Sequence, residues 1–221
     1  MYLSKLTLDP TRAQAQRDLV SPYQLHKTIA HAFPDGESDQ HRARHGVLFR
    51  VEEPERGGVS ILVQSATAPD WGRLPLGYAA RTDGPKPFSP DLSVGQRLRF
   101  RLVANPIRRE RIDGKAQPRR AALVHPRATG AFPTGYLDWL DRQAEVAGFT
   151  VQEVADVPFR LAPRRRVGTD EVAKGHIPHF GVRFDGLLCI VEPDRLLDAL
   201  RRGIGSAKAF GFGLLSLAPG R

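Results

Sequence analysis

The chain of 221 residues carries 33 lysines and arginines against 24 acidic residues, a formal net charge of +9. Hydrophobic residues make up 41% of it, enough for a buried core, which excludes a wholly disordered chain. No apolar run approaches the roughly 18 residues of a membrane-spanning helix and the N-terminal stretch is not a signal peptide, so we expect neither a membrane span nor secretion. A single cysteine excludes a disulfide framework, and we expect a protein of the reducing cytoplasm.

The first half of the chain predicts the element order β-α-β-β-α-β. Its second helix has the clearest start, because Ser21 can act as N-cap, Pro22 suits the first turn and Gln24 completes a capping box. The predicted elements are a strand at 2–8, helices from Thr11 and from Ser21, strands at 46–52 and 59–66, a short helix at 69–80 and, after a proline-rich link, a strand at 96–104.

The second half repeats this order loosely, with one additional strand. Gly148 and Gly203 mark the ends of its two helices. The predicted elements are helices at 133–147 and 193–202 and strands at 119–124, 149–155, 159–167, 180–191 and 212–217. Together the halves predict an α+β protein of two tandem ferredoxin-like (RRM-like) βαββαβ domains with antiparallel sheets, at 1–115 and 116–221.

The positive charge is concentrated in one window, 97–127, whose ten basic and two acidic residues give it a net charge of +8. Most of these residues are arginines, whose guanidinium groups pair with phosphate through two hydrogen bonds. Apolar residues alternate with arginines at 96–102, which predicts a strand with an arginine ladder facing away from the core. We therefore prefer nucleic-acid binding over a disordered basic loop or a membrane surface. The predicted RNA-binding residues are Arg97, Arg99, Arg101, Arg108, Arg109, Arg111, Lys115, Arg119 and Arg120.

A glycine-rich loop follows the last predicted helix. Its glycines are Gly203, Gly205, Gly211 and Gly213. The loop is neither a dinucleotide fingerprint nor a P-loop, because it follows a helix rather than a strand and lacks a Gly-Lys-Ser/Thr tripeptide. It could bring backbone close to a phosphate or a base, with Ser206 and Lys208 as further RNA-binding donors. The alternative is a helix C-cap with apolar residues in the core.

The helix from Ser21 places Tyr23, His26 and Lys27 on one face, since residues three and four apart are neighbours on a helix. This group lies near the helix N-terminus, which favours an anion. Histidine is the usual proton-transfer group near neutral pH, and tyrosine can donate to a developing charge. The pattern fits metal-free RNA cleavage, in which the 2′-hydroxyl attacks the adjacent phosphate. The alternative for an isolated His26 is a packing or capping role.

We expect no metal and no cofactor. The pair His41 and His45 and the pair His176 and His179 lack a recognised set of further ligands, so structural or solvent-facing roles are the better interpretation.

Several segments in order resemble the CasE family of CRISPR-associated endoribonucleases. They are MYLSKLTLDPTRAQAQRDLVSPYQLHKTI, PDWGRLPLGYA with the following KPF, GQRLRFRLVANP and LRRGIGSAKAFGFGLLSLAP. The resemblance implies metal-independent cutting of precursor CRISPR RNA at the 3′ base of the repeat stem-loop. The expected products are a 2′,3′-cyclic phosphate or 3′-phosphate and a 5′-hydroxyl. It also implies that the enzyme stays on the RNA with other Cascade subunits.

In this family the His of the Tyr-x-x-His segment is catalytic and the Tyr assists, which implies those roles for His26 and Tyr23. Some members carry a lysine five residues after that histidine, where this chain has His31. Cationic support would then come from Lys27, His31 or Lys208. The competing hypothesis is a non-catalytic RNA-hairpin-binding module or scaffold subunit, against which the intact Tyr23 and His26 argue.

Overall fold

The computed structural model describes residues 1–34, 44–52, 58–112, 115–122, 135–161 and 179–220. The chain forms two compact units. The first contains Met1–Asp91 and Ala207–Leu214, and the second contains Leu92–Leu161, His179–Ser206 and Leu215–Arg221. Among the residues described, no helix is long and apolar enough to cross a membrane.

The first unit is a four-stranded antiparallel sheet with helices. Its elements are β1 (Tyr2–Leu8), α1 (Ala13–Val20), α2 (Pro22–Ala30), β2 (Leu48–Val51), β3 (Ser60–Ser65), a 3₁₀ turn (Trp71–Arg73) and β4 (Ala79–Pro87). The strand order is β2-β3-β1-β4, so β2 and β4 form the two edges. Alternation along β1 buries Leu6 and Leu8, which join Leu25 and Ile29 of α2 in one core.

The second unit contains a second four-stranded antiparallel sheet. Its elements are β5 (Arg97–Ala104), β6 (Ile107–Ile112), β7 (Lys115–Ala122), α3 (Tyr136–Val146), β8 (Phe149–Leu161), β9 (His179–Ile190), α4 (Pro193–Arg202) and β10 (Leu215–Pro219). The strand order is β10-β5-β9-β8, while β6 and β7 pair only with each other. Trp139 of α3 stacks on Phe184 of β9 with ring centroids 6.3 Å apart, which places the helix on the apolar face of the sheet.

The two sheets have the same topology. Numbering the strands of each sheet from its own first strand, both run fourth, first, third, second from one edge to the other. All neighbouring strands are antiparallel. This shared order confirms the predicted α+β class and tandem ferredoxin-like architecture, although only the second unit has both helices of the β-α-β-β-α-β succession.

Two assignments within this fold differ from the sequence prediction. The predicted helix at 69–80 is replaced by the 3₁₀ turn, and the fourth strand of the first sheet is β4, which begins within that predicted helix and runs into the proline-rich link at 84–90. The strand β5 pairs with β9 and β10 in the second sheet, so the boundary falls between Asp91 and Leu92 rather than after residue 115. Strand pattern alone cannot identify the partner strand, because pairing joins residues far apart in sequence.

Smaller differences concern element boundaries and caps. Ser21 occupies the N-cap position of α2 with Pro22 in the first turn, but no side-chain capping bond forms. The two predicted strands at 149–155 and 159–167 are one long strand, Phe149–Leu161, as far as the description extends. The hairpin β6–β7 replaces a single predicted strand at 119–124.

Candidate active site

The helix α2 separates buried and exposed side chains along its two faces. Leu25 and Ile29 are fully buried in the core of the first unit, whereas Tyr23 and Lys27 are exposed and His26 is half-buried. This division follows from the helical repeat, which returns every third or fourth residue to the same face. The predicted grouping of Tyr23, His26 and Lys27 on one face is therefore present.

Two of these side chains contact each other directly. The ammonium nitrogen of Lys27 lies 5.0 Å from the centroid of the Tyr23 ring. A cation at this distance over an aromatic face is attracted by the negative face of the ring. The positive charge of Lys27 is thereby held beside the Tyr23 side chain, which is 41% exposed.

The imidazole of His26 stacks on an aromatic ring from the sheet. The centroids of His26 and Phe49 are 6.2 Å apart, and the two ring planes differ by 11°. Phe49 is completely buried in β2, and the Nδ1 atom of His26 is shielded from solvent. The ring of Phe49 thus packs against one face of the imidazole and restricts the orientation of the His26 side chain.

The second half of the glycine-rich loop, Ala207–Leu214, belongs to the first unit and contacts α2. A 3₁₀ turn at Lys208–Phe210 places the ring of Phe210 beside that of Tyr23, with the two ring centroids 6.4 Å apart. Gly211 follows with φ +84°, and a Cβ there would lie 3.1 Å from Cε2 of Phe49. The left-handed backbone and the close approach both favour glycine at this position. The predicted residue Lys208 therefore lies on the turn that reaches α2.

The first half of the loop belongs to the second unit. Gly203 caps α4 with φ +72°, in agreement with the C-cap interpretation. A Cβ on Gly205 would lie 2.9 Å from the Trp139 ring. The Ser206 hydroxyl donates a 3.3 Å hydrogen bond to the side-chain oxygen of the buried Asn105. Gly203, Gly205 and Ser206 thus support the loop within this unit, and none of their described contacts is with α2. The fourth loop glycine, Gly213, lies in the half that joins the first unit, with φ +90°.

The arginine ladder of β5 is present. Leu98, Phe100 and Leu102 are buried, while Arg97 and Arg99 are exposed on the opposite face. The third ladder residue, Arg101, has a different environment.

Arg101 is only half-exposed and forms an ion pair with Asp185 of the neighbouring strand β9. The same carboxylate pairs with Arg183 at 2.9 Å. Part of the charge expected on this face is therefore neutralised within the protein.

The rest of the predicted basic surface falls on the hairpin β6–β7. Its backbone register pairs Arg109 with Arg120 and Glu110 with Arg119. The side chains of Arg108, Arg109, Arg111, Lys115, Arg119 and Arg120 lie outside the described part of the structure. Their RNA contacts remain a prediction.

Of the other histidines, the structure describes the side chains of His31 and His45. His31 lies exposed at the C-cap of α2, and His45 is buried, with Nδ1 3.1 Å from the Thr67 hydroxyl and its ring stacked on Phe33. His45 therefore has the structural role expected of it. His41 and His176 lie outside the described residues, as does the side chain of His179. Within the described ranges, no group of three or more His, Cys, Asp or Glu residues could hold a metal ion.

Sequence reasoning missed two residues next to this site, Phe49 and Arg50. Both belong to the strand β2, and their contacts with α2 and with Ala207–Leu214 come from distant parts of the sequence. The available signal was the arginine that stands among apolar residues in the predicted strand GVLFRVE, because a buried charge requires a partner.

The similarity to known proteins covers almost the whole chain. A family model described as CRISPR associated protein matches residues 1–219. The CRISPR-associated endoribonuclease Cse3 of Thermus thermophilus is 41% identical over 228 residues, covering 99% of this chain and 100% of the relative. The CRISPR system Cascade subunit CasE of Escherichia coli is 35% identical over 229 residues, with the same coverage. A structure of CRISPR endoribonuclease Cse3 bound to 19 nucleotides of RNA superposes with a TM-score of 0.81 at 40% identity, covering 99% of this chain and 100% of that one. The chain belongs to the CasE family of CRISPR-associated endoribonucleases.

Proposed function

We propose that this protein is an endoribonuclease that binds the stem-loop of CRISPR repeat RNA and cuts precursor CRISPR RNA at the 3′ base of the hairpin. The observation that carries the proposal is the grouping of Tyr23, His26 and Lys27 on α2, beside the Lys208–Phe210 turn. Related proteins are named as an endoribonuclease and as a Cascade subunit, and one is solved with RNA. We propose likewise that this chain acts in the cytoplasm and stays on its product with other Cascade subunits.

In the proposed reaction the 2′-hydroxyl oxygen attacks the adjacent phosphorus, and the bond from phosphorus to the 5′-oxygen breaks. One proton leaves the 2′-hydroxyl and one reaches the departing 5′-oxygen, so the products are a 2′,3′-cyclic phosphate and a 5′-hydroxyl. Proton transfers alone balance this step. His26 serves as the general base or general acid, since its ring lies half-exposed against the Phe49 ring.

The neighbours of His26 stabilise the charge that develops on the phosphate. The Tyr23 hydroxyl donates to a phosphate oxygen, and Lys27 supplies positive charge from its place over the Tyr23 ring. Of the three cations that the sequence left open, Lys27 is supported by this contact, and Lys208 by its place on the turn against α2. His31 lies at the opposite end of α2 from Tyr23, which makes it the least supported of the three.

The stem of the hairpin is held by the basic surface of the second unit. Arg97 and Arg99 are exposed on β5, and the backbone of the hairpin β6–β7 carries five further arginines of the window, Arg108, Arg109, Arg111, Arg119 and Arg120. Exposed guanidinium groups bind backbone phosphates without reading sequence, so this surface supplies affinity and orientation.

The test is incubation of the protein with the CRISPR repeat RNA of its own genome in EDTA, followed by identification of the product ends. We expect cutting in EDTA, a 2′,3′-cyclic phosphate or 3′-phosphate on one product, and a 5′-hydroxyl on the other. A 2′-deoxy substitution at the cut nucleotide should abolish cutting. Dependence on Mg²⁺ would contradict the mechanism, and hairpin binding without cutting would favour the scaffold hypothesis.

A further inference from the structure

We propose that Arg50 is a positioning residue for RNA cutting: through the Leu214 carbonyl it holds the segment Ala207–Leu214, and with it the Lys208–Phe210 turn, beside α2. The inference rests on the proposed function, since it concerns the same site. Arg50 itself touches neither Tyr23 nor His26 in any described contact. Its effect would pass through the backbone of the loop.

The first argument is the burial of the Arg50 charge. Its side chain is 5% exposed, although β2 is an edge strand where an arginine could reach solvent. Its Nη2 and Nε atoms donate to one carboxylate oxygen of Glu52 at 2.6 and 2.9 Å. Burying a cation is costly unless its hydrogen bonds are satisfied, so this arrangement needs a structural reason.

That reason is the third described contact of Arg50. Its Nη1 atom donates a 3.2 Å hydrogen bond to the carbonyl oxygen of Leu214, the last residue of the loop segment in the first unit. Phe212 and Leu214 are buried, so the segment is anchored at this end while the Lys208–Phe210 turn contacts α2 at the other. A charge-assisted bond to a buried carbonyl is stronger than a neutral one.

The neighbouring residue of β2 supports the same loop from the other side of the strand. Side chains of consecutive strand residues point to opposite faces; Phe49 stacks on His26 and lies so close to Gly211 that a Cβ there would come within 3.1 Å of its ring. The strand β2 therefore holds the loop at two points, the Gly211 backbone through Phe49 and the Leu214 carbonyl through Arg50. Without the second point the turn, and Phe210 with it, could move away from Tyr23.

The chain supplies a matched control on the opposite edge of the same sheet. Arg81 of β4 pairs with Asp83 through the same two-residue spacing, with Nε and Nη2 at 2.9 and 2.8 Å from one carboxylate oxygen. The Arg81 side chain is 73% exposed. It offers the same residue type and the same kind of ion pair, with no described bond to the loop.

The experiment compares the variants Arg50→Met, Arg50→Lys and Arg81→Met by single-turnover cutting at saturating repeat RNA. Binding is measured separately with RNA that carries a 2′-deoxy cut site. We expect Arg50→Met to cut about 10- to 100-fold more slowly with unchanged RNA affinity, since small displacements of a site have effects of this size. Arg50→Lys should recover part of the rate, because lysine can still donate to the Leu214 carbonyl. Arg81→Met should match the wild type.

Two further readouts separate positioning from a general loss of stability. Trypsin should cut more readily after Lys208 in Arg50→Met, but not in Arg81→Met. The variant Phe210→Ala, combined with Arg50→Met, should slow cutting by less than the product of the two single effects, because both act on the same turn.

A wild-type rate in a folded Arg50→Met protein, or equal loss of rate in Arg81→Met, would overturn the inference. If Arg50→Met does not fold, Arg50→Gln takes its place, because its shorter side chain can still donate to Glu52 but does not reach the Leu214 carbonyl. A wild-type rate in folded Arg50→Gln then overturns the inference. Failure of the wild-type protein to cut its repeat RNA would instead overturn the proposed function.

Discussion

At the scale of single residues, the candidate site depends on the neighbours of its reactive groups as much as on those groups themselves. The spacing of Tyr23, His26 and Lys27 predicts their common face correctly, because helical geometry is local. The stacking of His26 on Phe49 was beyond sequence reasoning, because the two residues belong to different elements. A side chain whose orientation is fixed before substrate arrives loses less entropy on the way to the transition state.

A buried hydrogen bond in the same unit gives a prediction about stability at high pH. The Tyr78 hydroxyl donates a 2.8 Å bond to the fully buried Asp18, and burial, with Asp18 contributing, raises the pKa of Tyr78 above its ordinary value of about 10. The folded state therefore holds this proton more tightly than the unfolded state. The stabilisation is complete below about pH 10 and is lost as the pH rises further.

The prediction is measured by chemical denaturation between about pH 7 and pH 11. The free energy of unfolding of the wild type should fall above about pH 10, and the variant Tyr78→Phe should fall less steeply. At pH 7 the variant should be less stable by about 1–3 kcal/mol, because it removes a hydrogen-bond partner of the buried Asp18 side chain. Identical pH profiles for the two proteins would contradict this account.

At the scale of elements, the strand β5 shows which part of a sequence pattern can be interpreted alone. Its alternation correctly predicts buried Leu98 and Phe100 and exposed Arg97 and Arg99. The ion pair of Arg101 with Asp185 was not predicted, because it depends on the register between β5 and β9. Arg97 and Arg99 form no ion pair among the described residues, so they are the ladder positions best suited to an external phosphate.

This difference predicts a graded effect on the salt dependence of RNA binding. The logarithm of the RNA association constant falls linearly with the logarithm of the salt concentration. Arg97→Ala and Arg99→Ala should each make this slope less steep by about 1 for every phosphate that the arginine neutralises. Arg101→Ala should have a smaller effect, because Asp185 already neutralises much of that charge. Arg81→Ala, an exposed arginine outside the basic window, is the control and should leave the slope unchanged. Equal slopes in Arg99→Ala and the wild type would show that this position does not contact RNA.

At the scale of the whole molecule, the repeated topology was predictable and the division of the chain was not. Hydrophobic periodicity identifies most strands and helices, but the predicted succession of the first half contains a helix at 69–80 that does not form and ends on β5, which belongs to the second sheet. The unit to which β5 and Ala207–Leu214 belong is decided by long-range contacts, which no local pattern encodes. The division matters for function, because the C-terminal segment that returns to the first unit carries Lys208 and Phe210 to α2.

The central claim is that His26 cuts the RNA that the basic surface holds. The most direct measurement is the single-turnover cutting rate of His26→Ala on repeat RNA, together with its affinity for the hairpin. Gln24→Ala, an exposed position on the same helix, is the matched control. We predict a loss of about 10²- to 10⁴-fold in rate for His26→Ala with nearly unchanged affinity, and no loss for Gln24→Ala. A wild-type rate in His26→Ala would contradict the account.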